Sequence, residues 1–202
     1  MVRATLVCWL LVLSITCGAS PAQEPCTCTG AKVAGGWCEL HQTGYVASVE
    51  IHSRLLYDAL DAHGHTLDLS TFECTSCRKA IASDGFCEQH RVGFVGRQAY
   101  FSRVTYELAR GVVREPITIS CPVCLKNAES LGWCGKCGVG MVGNVAIKDR
   151  TAYERTAKEV EILRTASRTV KRCEWCAIAM VTDTRCPLCR ITYKDGKRVP
   201  AP

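Results

Sequence analysis

Apolar and polar positions along the chain repeat one pattern several times. Gly44-Tyr-Val-Ala-Ser-Val-Glu-Ile51, Gly93-Phe-Val-Gly-Arg-Gln-Ala-Tyr100 and Gly140-Met-Val-Gly-Asn-Val-Ala-Ile147 each set an apolar arm, a two-residue turn and a second arm in series. Such runs predict tight β-hairpins. A fourth hairpin is predicted at Thr192-Tyr-Lys-Asp-Gly-Lys-Arg-Val199, over the Asp195-Gly196 turn signal. A helix start follows each of the first three: Ser53, Ser102 and Asp149 suit an N-cap. At matched offsets behind them come Arg54, Arg103 and Arg150, then Tyr57, Tyr106 and Tyr153, then Asp58, Glu107 and Glu154. The first two helices are expected to end near Gly64 and Gly111. The third runs longer, with Ala152, Tyr153, Ala157, Val160, Leu163 and Ala166 close to one face.

The matched tyrosines read as packing against the neighbouring hairpin, with their hydroxyls at the rim. The fourth hairpin is followed only by the basic, proline-containing tail Lys194 to Pro202, which suits the atypical end of an array. Leu67 to Glu73, Val112 to Ser120 and Ser167 to Arg172 are expected to link the repeats and to supply a lead-in strand. The expected fold class is α+β: an array of four small modules, at 23–66, 67–112, 113–167 and 168–202.

Residues 1–22 do not share this pattern. Arg3 is followed by the apolar run Ala4 to Thr16 and then by small residues up to Ala22. The run is shorter than the roughly 20 residues that cross a bilayer, and Ser20-Pro21-Ala22 offers a small-x-small cleavage site. A secretory signal peptide is expected, with an exported destination, periplasmic or secreted, and no transmembrane helix in the mature chain. An uncleaved anchor and a lipoprotein cut before Cys17 are the alternatives. The second is weakened by Ser14-Ile15-Thr16, which lacks the leucine and small residues of that motif.

Cysteine usage changes the picture most. The chain of 202 residues has 16 cysteines, four tryptophans and four phenylalanines, too sulfur-rich for an ordinary core. Fourteen of the cysteines, all but Cys8 and Cys17 of the leader, fall into four copies of one frame: two close ligand residues, nine intervening residues, then two more ligands two apart. The copies are Cys26, Cys28, Cys38, His41; Cys74, Cys77, Cys87, His90; Cys121, Cys124, Cys134, Cys137; and Cys173, Cys176, Cys186, Cys189. Histidine in the fourth place of two copies decides between metal and disulfides, because imidazole replaces thiolate on zinc but forms no disulfide. Export normally favours disulfides, yet the spacing favours four-ligand metal sites. Copy one departs from the frame, with a single residue between Cys26 and Cys28.

Metal also changes the charge. The formal +6 suggests an acidic or nucleic-acid partner. Loss of the leader and ionisation of the ligating thiols bring a zinc-loaded chain to about −1, which removes any specific nucleic-acid signal. Trp37, Phe86 and Trp133 directly precede the third ligand and either cover the site or pack nearby. His52, His63 and His65 lie outside the frames; His63-Gly-His65 is a weak metal candidate against a loop or capping role.

The frames resemble zinc ribbons and rubredoxin-like knuckles, most clearly in Cys121-Pro-Val-Cys124 with Cys134-Gly-Lys-Cys137 and in Cys173-Glu-Trp-Cys176 with Cys186-Pro-Leu-Cys189. The resemblance covers about 16 residues per copy. It implies a small β-ribbon per copy, the nine-residue gap forming a hairpin, with one structural zinc each, about four per chain. Iron fits less well where histidine is a ligand. Closed sites suggest no hydrolytic chemistry. The expectation is an exported, non-enzymatic scaffold for a protein partner. A metal buffer, chaperone or sensor is one alternative; a thiol-disulfide or rubredoxin-like redox protein is another, disfavoured because the CxxC pairs are expected in ribbon turns rather than at helix N-termini.

Overall fold

The four hairpins form over turns with left-handed backbone: Ala47 and Ser48 (φ 51° and 61°), Gly96 and Arg97 (55° and 68°), Gly143 (55°), and Asp195 and Gly196 (49° and 71°). Positive φ at these turns gives the twist that two antiparallel strands need. A computed structural model describes residues 28–61 and 64–200, and the hairpins in it are β2 (Thr43–Val46) with β3 (Val49–Ile51), β6 (Val92–Val95) with β7 (Gln98–Tyr100), β10 (Val139–Val142) with β11 (Val145–Ile147), and β12 (Thr192–Lys194) with β13 (Lys197–Val199). Their registers pair Gly44 with Ile51, Gly93 with Tyr100, Gly140 with Ile147 and Thr192 with Val199. The leader 1–22, Cys26 and His63 lie outside the described residues.

The nine-residue gap is not a hairpin. It folds as a helix in every copy: α1 (Cys28–Ala34), α3 (Thr75–Ala82), α5 (Pro122–Ser130) and α7 (Glu174–Thr182). The reason lies in the sequence. Gap residues such as Ala80, Ala128 and Ala177 to Met180 are good helix formers, and Pro122 occupies the first helical position, where its missing N–H is harmless. A residue of positive φ then stands three positions before the third ligand in each copy: Gly35 (79°), Asp84 (48°), Leu131 (69°) and Asp183 (51°). It turns the chain into β1 (Gly36–Cys38), β5 (Phe86–Cys87) and β9 (Gly132–Cys134), which pair with β2, β6 and β10. Copy four keeps only an isolated bridge there, between Arg185 and Thr192.

Each of the first three hairpins leads into a second helix at the predicted N-cap: α2 (Arg54–Leu60), α4 (Arg103–Ala109) and α6 (Arg150–Thr169). Ser53 Oγ accepts from the Leu56 N–H (3.0 Å) and Asp149 Oδ1 from the Ala152 N–H (2.6 Å). Helix α2 ends earlier than expected, because Asp61 takes the left-handed conformation (φ 54°) that was anticipated at Gly64. Helix α4 stops as anticipated beside Gly111, whose N–H bonds to the Leu108 carbonyl (3.0 Å).

The repeats interlock. Strand β4 (His65–Thr66), which follows α2, pairs with β7 of the next repeat; β8 (Val112–Val113), which follows α4, pairs with β11 of the repeat after that. The sheets are ordered β1-β2-β3, β4-β7-β6-β5, β8-β11-β10-β9 and β12-β13. The expected strand before repeat four is instead the end of α6 and a turn, so its sheet has two strands. Helix α6 then reaches back to repeat one, where Ser167 Oγ donates to the Glu50 carbonyl (2.7 Å).

One large cluster therefore joins distant parts of the chain. Val46, Ile51, Leu56 and Leu60 of repeat one meet Val160, Leu163 and Ala166 of α6 and Ala177, Met180 and Tyr193 of repeat four. A linear array would bring together sequence neighbours alone. Repeats two and three keep smaller clusters, around Phe94 and Met141 respectively. The Glu107 carboxylate, 1 % exposed, ties α4 to α6 through Arg155 (2.6 Å), with Arg110 (3.6 Å) and Arg103 (4.0 Å) beside it. Among the described residues no helix is long and apolar enough to cross a membrane.

Candidate metal centres

The first ligand of a frame stands where its helix begins. In copies two to four, Cys74, Cys121 and Cys173 are the N-cap residues of α3, α5 and α7, and the second ligand lies one turn into the helix; Cys28, the second ligand of copy one, lies in α1. The third closes the short strand in copies one to three, and the fourth is followed at once by another left-handed residue: Gln42 (φ 48°), Arg91 (52°), Gly138 (62°) and Arg190 (58°). Helix start and turn thus face each other across one point.

The resulting clusters are Cys74, Cys77, Cys87, His90; Cys121, Cys124, Cys134, Cys137; Cys173, Cys176, Cys186, Cys189; and Cys28, Cys38, His41, all with ligand atoms within 4.8 Å of one another. Cys26, the remaining ligand predicted for copy one, lies outside the described residues. Cys77 Sγ is 3.4 Å and Cys87 Sγ 3.7 Å from His90 Nδ1; Cys28 Sγ is 3.1 Å and Cys38 Sγ 3.6 Å from His41 Nδ1. In the all-cysteine clusters Cys121 and Cys134 are 3.9 Å apart, Cys173 and Cys186 3.9 Å, and Cys189 and Cys173 3.8 Å. A tetrahedral ion with metal–sulfur bonds of about 2.3 Å sets sulfur–sulfur edges of about 3.8 Å and sulfur–nitrogen edges of about 3.5 Å. A disulfide needs about 2.05 Å. The donor sets fit a metal ion of that kind.

Burial is graded in the same way at the second, third and fourth clusters. The second and third ligands are buried, the first is half-buried and the fourth is exposed. The thiols respond to their places. Amide N–H groups of the helix start, that of Cys77 above all, hold Cys74 down to about 7, and the Cys124 amide similarly holds Cys121 at about 6. Burial pushes Cys77 and Cys176 up to about 12 and Cys124 higher still. Cys186 is also pushed up by burial, but the Cys189 amide and neighbouring thiols outweigh this and leave it at about 7. Each of these clusters therefore combines a ready thiolate with a thiol that gives up its proton only to a strong positive charge.

These helix starts overturn one expectation. The CxxC pairs do not sit in ribbon turns, so the geometric argument against thiol-disulfide chemistry does not hold. The same amides serve a ligand thiolate equally well. The clue was legible in Cys121-Pro122 and in the alanines of the gaps.

Beside three of the clusters a three-layer stack repeats. Trp37 lies 5.3 Å from Tyr57, Phe86 5.2 Å from Tyr106, and Trp133 5.6 Å from Tyr153, centroid to centroid. Arg54, Arg103 and Arg150 cover the outer ring at 5.2, 3.7 and 5.5 Å. Arg54 and Arg103 also pair with Glu39 and Glu88, which follow the third ligand. The aromatics before the third ligand are thus packing partners of the tyrosines. The tyrosine rings explain the glycines opposite: a Cβ on Gly44, Gly93 or Gly140 would lie 2.4, 2.1 or 2.0 Å from a ring carbon. Copy four has Arg185 for the aromatic and Thr192 for the glycine, and among the described residues no such helix follows it.

The two other described histidines, His52 and His65, form local contacts. His65 Nε2 is 2.6 Å from Asp61 Oδ1 with its ring 5.5 Å from Phe101, and His52 meets Glu50 (3.5 Å). Sequence reasoning missed Tyr193, a buried residue whose hydroxyl hydrogen-bonds to Cys176. The chain matches no family model, no curated protein and no solved structure.

Proposed function

We propose that this is an exported, non-enzymatic protein in which about four zinc ions hold the repeats in shape as a scaffold for protein contacts. The observation that carries this reading is the set of four Cys/His clusters, three of which have their middle ligands within the hydrophobic clusters themselves, Cys77 and Cys87 in one, Cys124 and Cys134 in another, Cys176 and Cys186 in the largest. An ion held there supports the fold directly. His41 and His90 favour zinc over iron, and a filled tetrahedron has no position for substrate. Export is supported by the leader pattern of residues 1–22.

A structural zinc contributes about 10–16 kcal/mol of folding free energy, as much as the whole stability of an ordinary domain. The mature protein, purified without added metal or reductant, is expected to carry close to four zinc ions, keep its frame cysteines as thiolates and lose its structure on chelation. A preparation free of both metal and thiols would sink the reading. Metal handling is a second reading, favoured by the exposed fourth ligands His90, Cys137 and Cys189. Zinc passing to a competing apo-protein within minutes would support it, and retention for hours the scaffold.

A further inference from the structure

The net excess of positive charge is concentrated in the last repeat of this chain. Residues 168–202 hold eight Lys or Arg against three Asp or Glu, in a chain whose formal charge is +6. Two of the three acids are already paired, Asp183 with Arg91 of repeat two (3.0 Å) and Asp195 with Lys158 (3.2 Å). With zinc in place, about +3 remains on repeat four while the rest of the mature chain is about −4.

The charge surrounds a cavity of about 480 Å³ between the last turns of α6 and the β12–β13 hairpin. Arg168 and Arg172 line it from the helix and Arg198 from the hairpin, and Cys173, Cys176 and Cys189 of the fourth cluster line it as well, so the groove opens directly on that centre; the three arginines are exposed and form no ion pair among the described residues, while the Arg198 guanidinium hydrogen-bonds to the Tyr193 hydroxyl. Thr165 and Thr169, on the same wall, donate their hydroxyl protons to helix carbonyls, at 3.0 and 2.9 Å. The arginines are therefore the donors this groove offers to a ligand. Converging guanidinium groups recognise carboxylates with paired, charge-assisted hydrogen bonds.

We propose that this groove binds an acidic peptide segment of a partner protein. The proposal deepens the scaffold reading and rests on it, by naming the class of partner and where it docks. Charge complementarity selects the occupant. A long polyanion such as nucleic acid would run from a small basic patch onto a surface of its own sign, and the groove offers it no exposed ring to stack on, since Tyr193 is 4 % exposed.

The test uses the full mature, zinc-loaded chain and a fluorescent hexaglutamate peptide, with hexalysine, a six-nucleotide single strand and inorganic phosphate as comparisons. Hexaglutamate is expected to bind in a salt-sensitive way, and the triple variant Arg168→Gln, Arg172→Gln, Arg198→Gln to bind at least about tenfold more weakly. Zinc content should remain unchanged in that variant. A control triple, Lys79→Gln, Arg97→Gln, Lys126→Gln, removes the same charge elsewhere and should bind as the parent does. Equal weakening in both triples would reduce the effect to net charge and overturn the proposal. So would tighter binding of the oligonucleotide, full displacement by phosphate at matched ionic strength, or loss of the fourth zinc in the Arg variant. A parent protein without zinc would instead defeat the scaffold reading, whatever the peptide does.

Discussion

In repeat two the sulfurs of Cys77 and Cys87 pack with Ala80, Val92, Phe94 and Ala99 in a cluster of their own. In repeat four Cys176 and Cys186 belong to the large cluster that also takes in Ile51 and Leu56 of repeat one and Leu163 of α6. The frames are the same, but the surroundings are not. Repeat two carries its own aromatic stack and second helix, Phe86, Tyr106 and Arg103 with α4. Repeat four has neither, and rests on α6 with an apolar helix, α7, whose Ala177, Ala179, Met180 and Val181 are all buried. The difference shows that a metal frame fixes a local turn and helix start, whereas what surrounds it decides whether losing the metal is local or general.

The strongest way to break the comparison is to remove one buried ligand from each repeat. Cys176→Ser should forfeit about 10 kcal/mol of metal-linked stability inside the shared core and abolish cooperative folding. Cys77→Ser should instead confine lost amide protection to residues near 74–100, the separate cluster of repeat two, while α4, which gives Val104 to the shared core, α6 and α7 stay protected. Hydrogen exchange read peptide by peptide distinguishes the two; identical exchange maps would mean that the clusters do not insulate repeat two.

Next in size is the tie between repeat two and α6. Glu107→Ala leaves Arg103, Arg110 and Arg155 without their shared buried carboxylate, and should lower stability by about 3 kcal/mol in urea titration. A variant within 0.5 kcal/mol of the parent would assign the tie to apolar packing, on the usual scale for surface changes.

A smaller effect tests the stack. Gly93→Thr drives a side chain into the Tyr106 ring and should cost about 1–3 kcal/mol. The reverse exchange at the matching position, Thr192→Gly, meets no tyrosine and should cost less than about 1 kcal/mol. Equal costs would deny the packing role assigned to the ring.

Thiol chemistry should separate repeats two and four by about one proton, since Cys189 stands where repeat two has His90 and must lose its proton to bind an ion. Cys77 and Cys176, pushed up to about 12, hold a proton at every ordinary pH and release it to the metal. Cys74 and Cys186, at about 7, are thiolates above that pH and take up a proton below it. Zinc affinity at both sites should therefore rise with pH, tenfold per unit for each displaced proton, and more steeply below about 7 than above. Site three, with Cys121 at about 6, should steepen about one unit lower. Competition against a chromophoric chelator from pH 5 to 8 measures all three; a pH-independent affinity would contradict the thiol assignments.

Hairpins, second helices, N-caps and ligand frames were legible because each depends on a few neighbouring residues. Asp195-Gly196 already implies its turn, and Asp149 its helix start. The gap helices were legible in principle, but the resemblance to ribbon knuckles outweighed Pro122 and the alanines. The convergence of repeats one, three and four was not legible. Val160, Leu163 and Ala166 show an apolar face, yet many surfaces could cover it, and the choice of Ile51 on one side and Met180 on the other depends on how α6 leaves its hairpin.

By itself, then, the sequence determined the units: which residues gather at a point that could hold a metal ion, and which tyrosine packs against which hairpin. Spacing along a chain is enough for that, since helix and hairpin geometry is local. Tertiary structure alone decided that the units close on one another, that Glu107 lies buried among arginines, and that Arg168, Arg172 and Arg198 line one groove. Those outcomes sum apolar contacts and ion pairs between residues far apart in the chain, such as Ile51 and Met180 or Glu107 and Arg155, which no local pattern encodes.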